Sequence, residues 1–140
     1  MAGDDTATLA VGRFTLQLAP GWQAEFEEDC VCLTRPDGYG ILFISYADKA
    51  NAPVAREDLQ QLADAELPGS AELGPTKMGN LLGLHATYVE DDSRWHRFYL
   101  GYGTLLLLIS YNVALAYDGT EDDEVLRMLR TLEAAGDPWD

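Results

Sequence analysis

Apolar and polar positions along the chain follow two periods. From Arg13 to Leu18 the period is two, with Phe14, Leu16 and Leu18 on one side and Thr15 and Gln17 on the other, which predicts a half-buried strand. Pro20-Gly21 breaks it, Trp22 to Phe26 resumes the alternation, and Glu27-Glu28-Asp29 marks a solvated turn. Val31 to Arg35 and Ile41 to Tyr46 predict two more strands around Arg35-Pro36-Asp37-Gly38, whose Pro and Gly suit a turn. The second of these is apolar on both faces, which predicts a central position in a sheet. Residues 1–12 show no period and read as a loose leader before a single domain over 13–140.

Helical spacing occurs twice. Asn51-Ala52-Pro53 offers a cap and an early proline, and Val54, Leu59, Leu62 and Ala63 recur through about Glu66 before Leu67-Pro68-Gly69-Ser70 ends the run. Residues 71–83 read as a turn-rich connection with a short strand at Thr76 to Leu81. Further on, Thr120 with Asp123 has the form of a capping box. Glu121, Asp122, Asp123 and Glu124 place negative charge at the positive end of a helix dipole. Val125, Met128, Leu129 and Leu132 then form one apolar stripe, which Gly136 and Pro138 stop.

Between the helices, Gly83 to Asn112 predicts three antiparallel strands. With two-residue turns at Asp92-Ser93 and Tyr102-Gly103, Val89 pairs with His96, Thr87 with Phe98, His85 with Leu100, and His96 with Ile109. One face then carries His85, Thr87, Val89, His96, Phe98, Leu100, Leu105, Leu107 and Ile109, the main core. The other carries Tyr88, Glu90, Trp95, Arg97, Tyr99, Leu106, Leu108 and Ser110. The need to hide leucines favours cover of this second face by the second helix. If it stays exposed in part, its Trp, Tyr and Arg are residue types enriched at binding hot spots. The order strands, helix, strands, helix predicts an α+β domain: a mainly antiparallel sheet of about six to eight strands carrying two helices.

At 140 residues and 47% hydrophobic, the chain suits one packed core. Its 24 acidic and nine basic residues give a net charge of -15. Such a surface repels phosphate backbones and anionic lipid headgroups, so nucleic acid and membranes are poor partners and a basic protein is a better one. The N-terminus lacks the basic and apolar regions of a signal peptide, and no run is long enough to span a bilayer, so a cytosolic location is expected.

The candidate chemistry is sparse. Cys30 and Cys32 are two apart, about 7 Å on a strand, without the further ligands zinc needs, and read as free thiols. In the predicted register His85 and His96 lie roughly 13 Å apart, too far to share a metal. None of Ser45, Ser70, Ser93 and Ser110 stands in a nucleophile elbow, and Gly101-Tyr102-Gly103 leads into a strand rather than a phosphate-binding helix. The paired carboxylates fit a turn and a helix start rather than an acid/base dyad or a calcium loop. No catalytic, cofactor-binding or metal-binding residue is expected.

The layout Phe14 to Trp22, the Pro36-Asp37-Gly38 hairpin into Ile41 to Ser45, the segment Leu81 to Tyr88, the Leu-rich strand and the closing Leu129 to Leu132 together resemble the PsbP-like and DcrB-like families. That resemblance implies an α/β/α sandwich on an antiparallel sheet, used mostly by non-enzymatic proteins: photosystem accessory factors, a GTPase-binding factor, lipoproteins, and chaperones or immunity-type proteins of bacterial secretion. It carries over no catalytic residue, and the chain departs from the lipoprotein branch in having no leader or lipobox cysteine. The resulting expectation is a non-catalytic cytosolic protein-binding domain, an immunity or chaperone-type factor for a basic partner, which would bind through Tyr88, Glu90, Trp95, Arg97 and Tyr99. The alternative is a small-ligand carrier with Tyr88, Trp95 and Tyr99 lining a pocket between sheet and helix. A hydrolase comes third and would need a serine or cysteine within hydrogen-bond reach of His85 or His96.

Overall fold

The computed structural model describes residues 7–49 and 52–136. The expected cap at Asn51 and stop at Pro138 lie outside these residues. The strands are β1 (Ala7–Val11), β2 (Phe14–Leu18), β3 (Gln23–Phe26), β4 (Cys30–Thr34), β5 (Ile41–Asp48), β6 (Glu72–Met78), β7 (Leu81–Glu90), β8 (Ser93–Tyr102), β9 (Leu105–Ala114) and β10 (Glu133–Ala134). The helices are α1 (Arg56–Glu66) and α2 (Asp122–Arg130). Strand outweighs helix, 52% against 18%, and the fold is α+β as expected, its main sheet of seven strands joined by a second sheet of three.

Every recorded strand pair is antiparallel. A small sheet has the order β1-β2-β10, and a seven-stranded sheet has the order β3-β4-β5-β9-β8-β7-β6. The larger sheet consists of two meanders, β3-β4-β5 and β6-β7-β8-β9, joined by one long pairing from Ile41 opposite Asn112 to Asp48 opposite Leu105. The small sheet and α2 cover its inner face, where Phe14, Leu16, Leu33, Ile44, Leu107 and Leu129 meet in the main core. On the outer face α1 lies over β7 and β8 and packs Leu59 and Ala63 against Leu84 and Tyr99.

Three predicted elements differ. Residues 7–11 form β1, which pairs with β2 through a turn at Gly12 (φ +52°) and buries Leu9 and Val11. This part of the expected leader belongs to the fold; alanine and threonine hid a strand that alternates at only two apolar positions. The connection after residue 71 is a full strand, Glu72–Met78, which tolerates Pro75 because it lies at the sheet edge. The N-cap residue of α2 is Glu121, and Thr120 donates its hydroxyl proton to the Tyr117 carbonyl instead of capping the helix.

The two central turns each sit one residue from the predicted place. The first is Asp91-Asp92, both with positive φ (55° and 60°), and the second begins at Gly103 (φ +58°). Partners therefore slide by two: His85 faces Phe98, His96 faces Thr87, and Leu107 faces Leu100. An even shift preserves the alternation, so both predicted faces hold, but neighbours along each face change.

The second helix does not cover the second face. Glu121, only 4% exposed, fixes α2 to the inner side: its carboxylate accepts from the Tyr39 and Gly40 amides at 3.0 and 2.9 Å and from the Tyr111 hydroxyl at 2.7 Å. Gly40 permits this approach, because a Cβ there would stand 2.5 Å from the Tyr111 ring.

Candidate functional site

The outer face of the large sheet holds all five residues expected to bind a partner, but in different surroundings. Tyr88 and Trp95 are cross-strand partners with nearly parallel rings, centroids 6.2 Å apart. Tyr88 is buried, Trp95 half-buried, and Glu90 exposed at the end of β7. Tyr99 lies beneath α1 and donates to Glu66 at 3.1 Å, and Arg97 forms an ion pair with the same carboxylate oxygen at 2.8 Å. Burial raises the Tyr99 phenol well above its ordinary range, which keeps it a donor to Glu66. Two of the five, Tyr99 and Arg97, thus anchor the last turn of α1, Tyr88 is buried, and Trp95 and Glu90 keep surface open to solvent.

That open side is the outer surface of β4, β5 and β9. An 11-residue helix is about 16 Å long, and α1 lies mainly over β7 and β8, its apolar cluster reaching β9 at Leu106 and Leu108, which stay half-buried. Phe43, Ser45, Leu106, Leu108, Ser110 and Asn112 are all half-buried, although β5 and β9 are interior strands. Two hollows share Ser45 and Leu108 and run together as a trough. One, of about 140 Å³, is bounded by Phe43, Glu66, Arg97 and Ser110, and the other, of about 210 Å³, by Asp29, Tyr46 and Leu106. Leu106 and Leu108 were assigned to this face by alternation. Phe43 and Ser45 were not, because the pairing of β5 with β9 joins segments some sixty residues apart; the signal present was that β5 is apolar on both faces.

Cys30 and Cys32 border the trough as free thiols, both held above the ordinary thiol range by burial and then by the negative charges of Glu27 and Glu25 respectively. Neither is poised as a thiolate nucleophile at neutral pH.

On the inner face the register places the histidines in contact rather than roughly 13 Å apart. His85 Nε2 and His96 Nδ1 are 3.0 Å apart, with ring planes within 6° and His85 stacked on Phe98. Burial lowers both; His85, also facing the His96 charge, falls to about 4. Among the described residues the hydrogen bond of each ring is to the other, with no serine or cysteine joined to either, and no group of three or more His, Cys, Asp or Glu is placed to hold a metal ion.

No protein-family model matches the chain, and no curated protein matches it. A crystal structure from Bacteroides thetaiotaomicron VPI-5482 is similar, with a TM-score of 0.65 at 23% identity over 88% of this chain and 45% of that one. The chain spans less than half of that protein's length. At this identity the likeness shows the fold alone, and it brings no link to the PsbP-like or DcrB-like families.

Proposed function

We propose that the chain is a non-catalytic protein-binding module that seats an apolar segment of a basic protein in the outer trough. One observation carries this reading: two interior strands present Phe43, Leu106 and Leu108 on a face that α1 leaves half open. Apolar side chains on interior strands gain roughly 25 cal/mol for each Å² removed from water, which a partner would supply. Arg97 borders the trough and Trp95 stands on the same face opposite Asn112 of β9, and both are residue types that anchor interfaces. The acidic groups Asp29 and Glu66 at its rim, in a chain of charge -15, favour a cationic partner and speed its encounter. Masking of a basic cargo or toxin by an immunity or chaperone-type factor is the role such a face would fit, and the cytosol its place. Among the described residues no helix is long and apolar enough to cross a membrane.

The test is stoichiometric capture from native lysate across a salt series, with Leu108→Lys as the comparison. The expected result is a basic partner retained at low salt, weakened at high salt, and lost at least tenfold in Leu108→Lys while that variant keeps its circular dichroism spectrum. Equal capture by both proteins would overturn the assignment of the trough.

A further inference from the structure

A further cavity lies away from the trough, at the other end of the outer face. It measures about 410 Å³ and sits between the start of α1 and strands β6, β7 and β8. Val54, Leu59, Leu82 and Leu84 line it with Pro53 and Pro75. Its shape follows from two local features. The Val54 amide donates to the Gly103 carbonyl at 2.6 Å, tying the approach to α1 onto the β8–β9 turn. Gly101 lets that segment come close, since a Cβ there would stand 2.9 Å from the Val54 side chain. Tyr88, Trp95 and Tyr99 do not line this cavity.

Its charge is unlike that of the rest of the surface. In a chain with 24 acidic residues, no carboxylate among the described residues lines the cavity, and the one charged residue among its described lining is Arg56. Lys77 pairs with Leu82 across the β6–β7 ladder and leaves the sheet on the same face as that wall. Among the described residues Arg13, Arg35, Lys49, Arg94 and Arg97 each hold a carboxylate, whereas Arg56 and Lys77 here, like Arg127 and Arg130 on α2, are exposed and hold none. Leu82, a cavity wall, is 61% exposed.

From this combination we propose that the cavity binds a small amphipathic carboxylate, with its apolar body against Leu59, Leu82 and Leu84 and its anionic head at Arg56 and Lys77. The volume holds roughly a dozen non-hydrogen atoms at the ~30 Å³ a water occupies in the liquid, which is the size range of small-molecule pockets. The guanidinium takes a carboxylate through two parallel donors, which gives selectivity for an anion over a neutral isostere. Binding here leaves the trough free and does not depend on a protein partner.

The experiment is an NMR titration of the whole chain with octanoate, and in parallel with 1-octanol. Octanoate is expected to bind at one site, to shift the amides of Val54, Leu82 and Gly101, and to bind at least tenfold tighter than 1-octanol. Arg56→Glu with Lys77→Glu should weaken octanoate tenfold or more and leave 1-octanol unchanged. Leu82→Trp, at an exposed position that folding tolerates, should weaken both ligands by filling the cavity. The proposal is overturned if 5 mM octanoate leaves those amides unshifted, if 1-octanol binds as well as octanoate, or if the charge-reversed variant binds like the parent.

Discussion

Glu121 is the residue on which the position of the second helix depends. A buried carboxylate is costly unless its oxygens are filled, and here two backbone amides and a phenol fill them. Glu121→Ala leaves those three donors without a partner in the interior. The expected loss is on the order of 3 kcal/mol, measured by urea unfolding, with an unchanged m-value. The histidine pair makes a second prediction at this scale. In-line rings 3.0 Å apart accommodate one proton between them, so a second charge is resisted by its neighbour as well as by burial. His85 binds fewer protons folded than unfolded between pH 6.5 and about 4, so stability that is complete above this window is lost as pH falls through it. Between pH 7 and 4 the parent should lose about 2 kcal/mol more than His85→Gln, once solvent screening at this part-exposed ring is allowed for. Equal losses in the two proteins would show that the pair does not couple to folding.

Among the elements, the hairpin turns show what sequence can and cannot fix. Asp91-Asp92 adopts positive φ at both positions, the conformation of a type I′ turn, which Asn-Gly fills at lower cost. Replacing Asp91→Asn and Asp92→Gly together should raise stability by about 0.5–1 kcal/mol, seen as a higher melting temperature. Alternation alone assigned Phe98, Leu100, Leu107 and Ile109 to one face and Tyr99, Leu106 and Leu108 to the other, and the structure bears this out. Which residues touch across the ladder depends on the turn, and Asp91-Asp92-Ser93 offers two polar dipeptides of nearly equal merit. That single residue separated distant histidines from a bonded pair. The site was legible in Trp95, Arg97 and the two leucines. Tyr99 and Arg97 proved to be anchors for Glu66, a long-range contact that no local period records. The cavity beneath α1 was also hidden, because glycines and chain path shape it more than side-chain pattern does.

Across the whole molecule, charge and topology act at different ranges. The surplus of carboxylates is spread along the chain, yet among the described residues the cavity lining contains none and the trough is rimmed by Asp29 and Glu66, so one outer face presents two chemically different openings. The two meanders that form this face meet only at β5 and β9, and each is closed by its own short turns. The single seam carries the main loop-closure cost of the large sheet, while α1, β10 and Glu121 bridge the same two halves. A chain cut in the exposed turn at Gly69-Ser70 should therefore yield two fragments that are unstructured apart and reassemble when mixed. Mixing them at equal concentration and following Trp fluorescence measures that association, and failure to recover the native spectrum would mean the halves cannot find the seam without their covalent link. The β5–β9 ladder and the contacts that bridge it are thus an interface between two pieces of one chain, and their combined strength could be read as a dissociation constant.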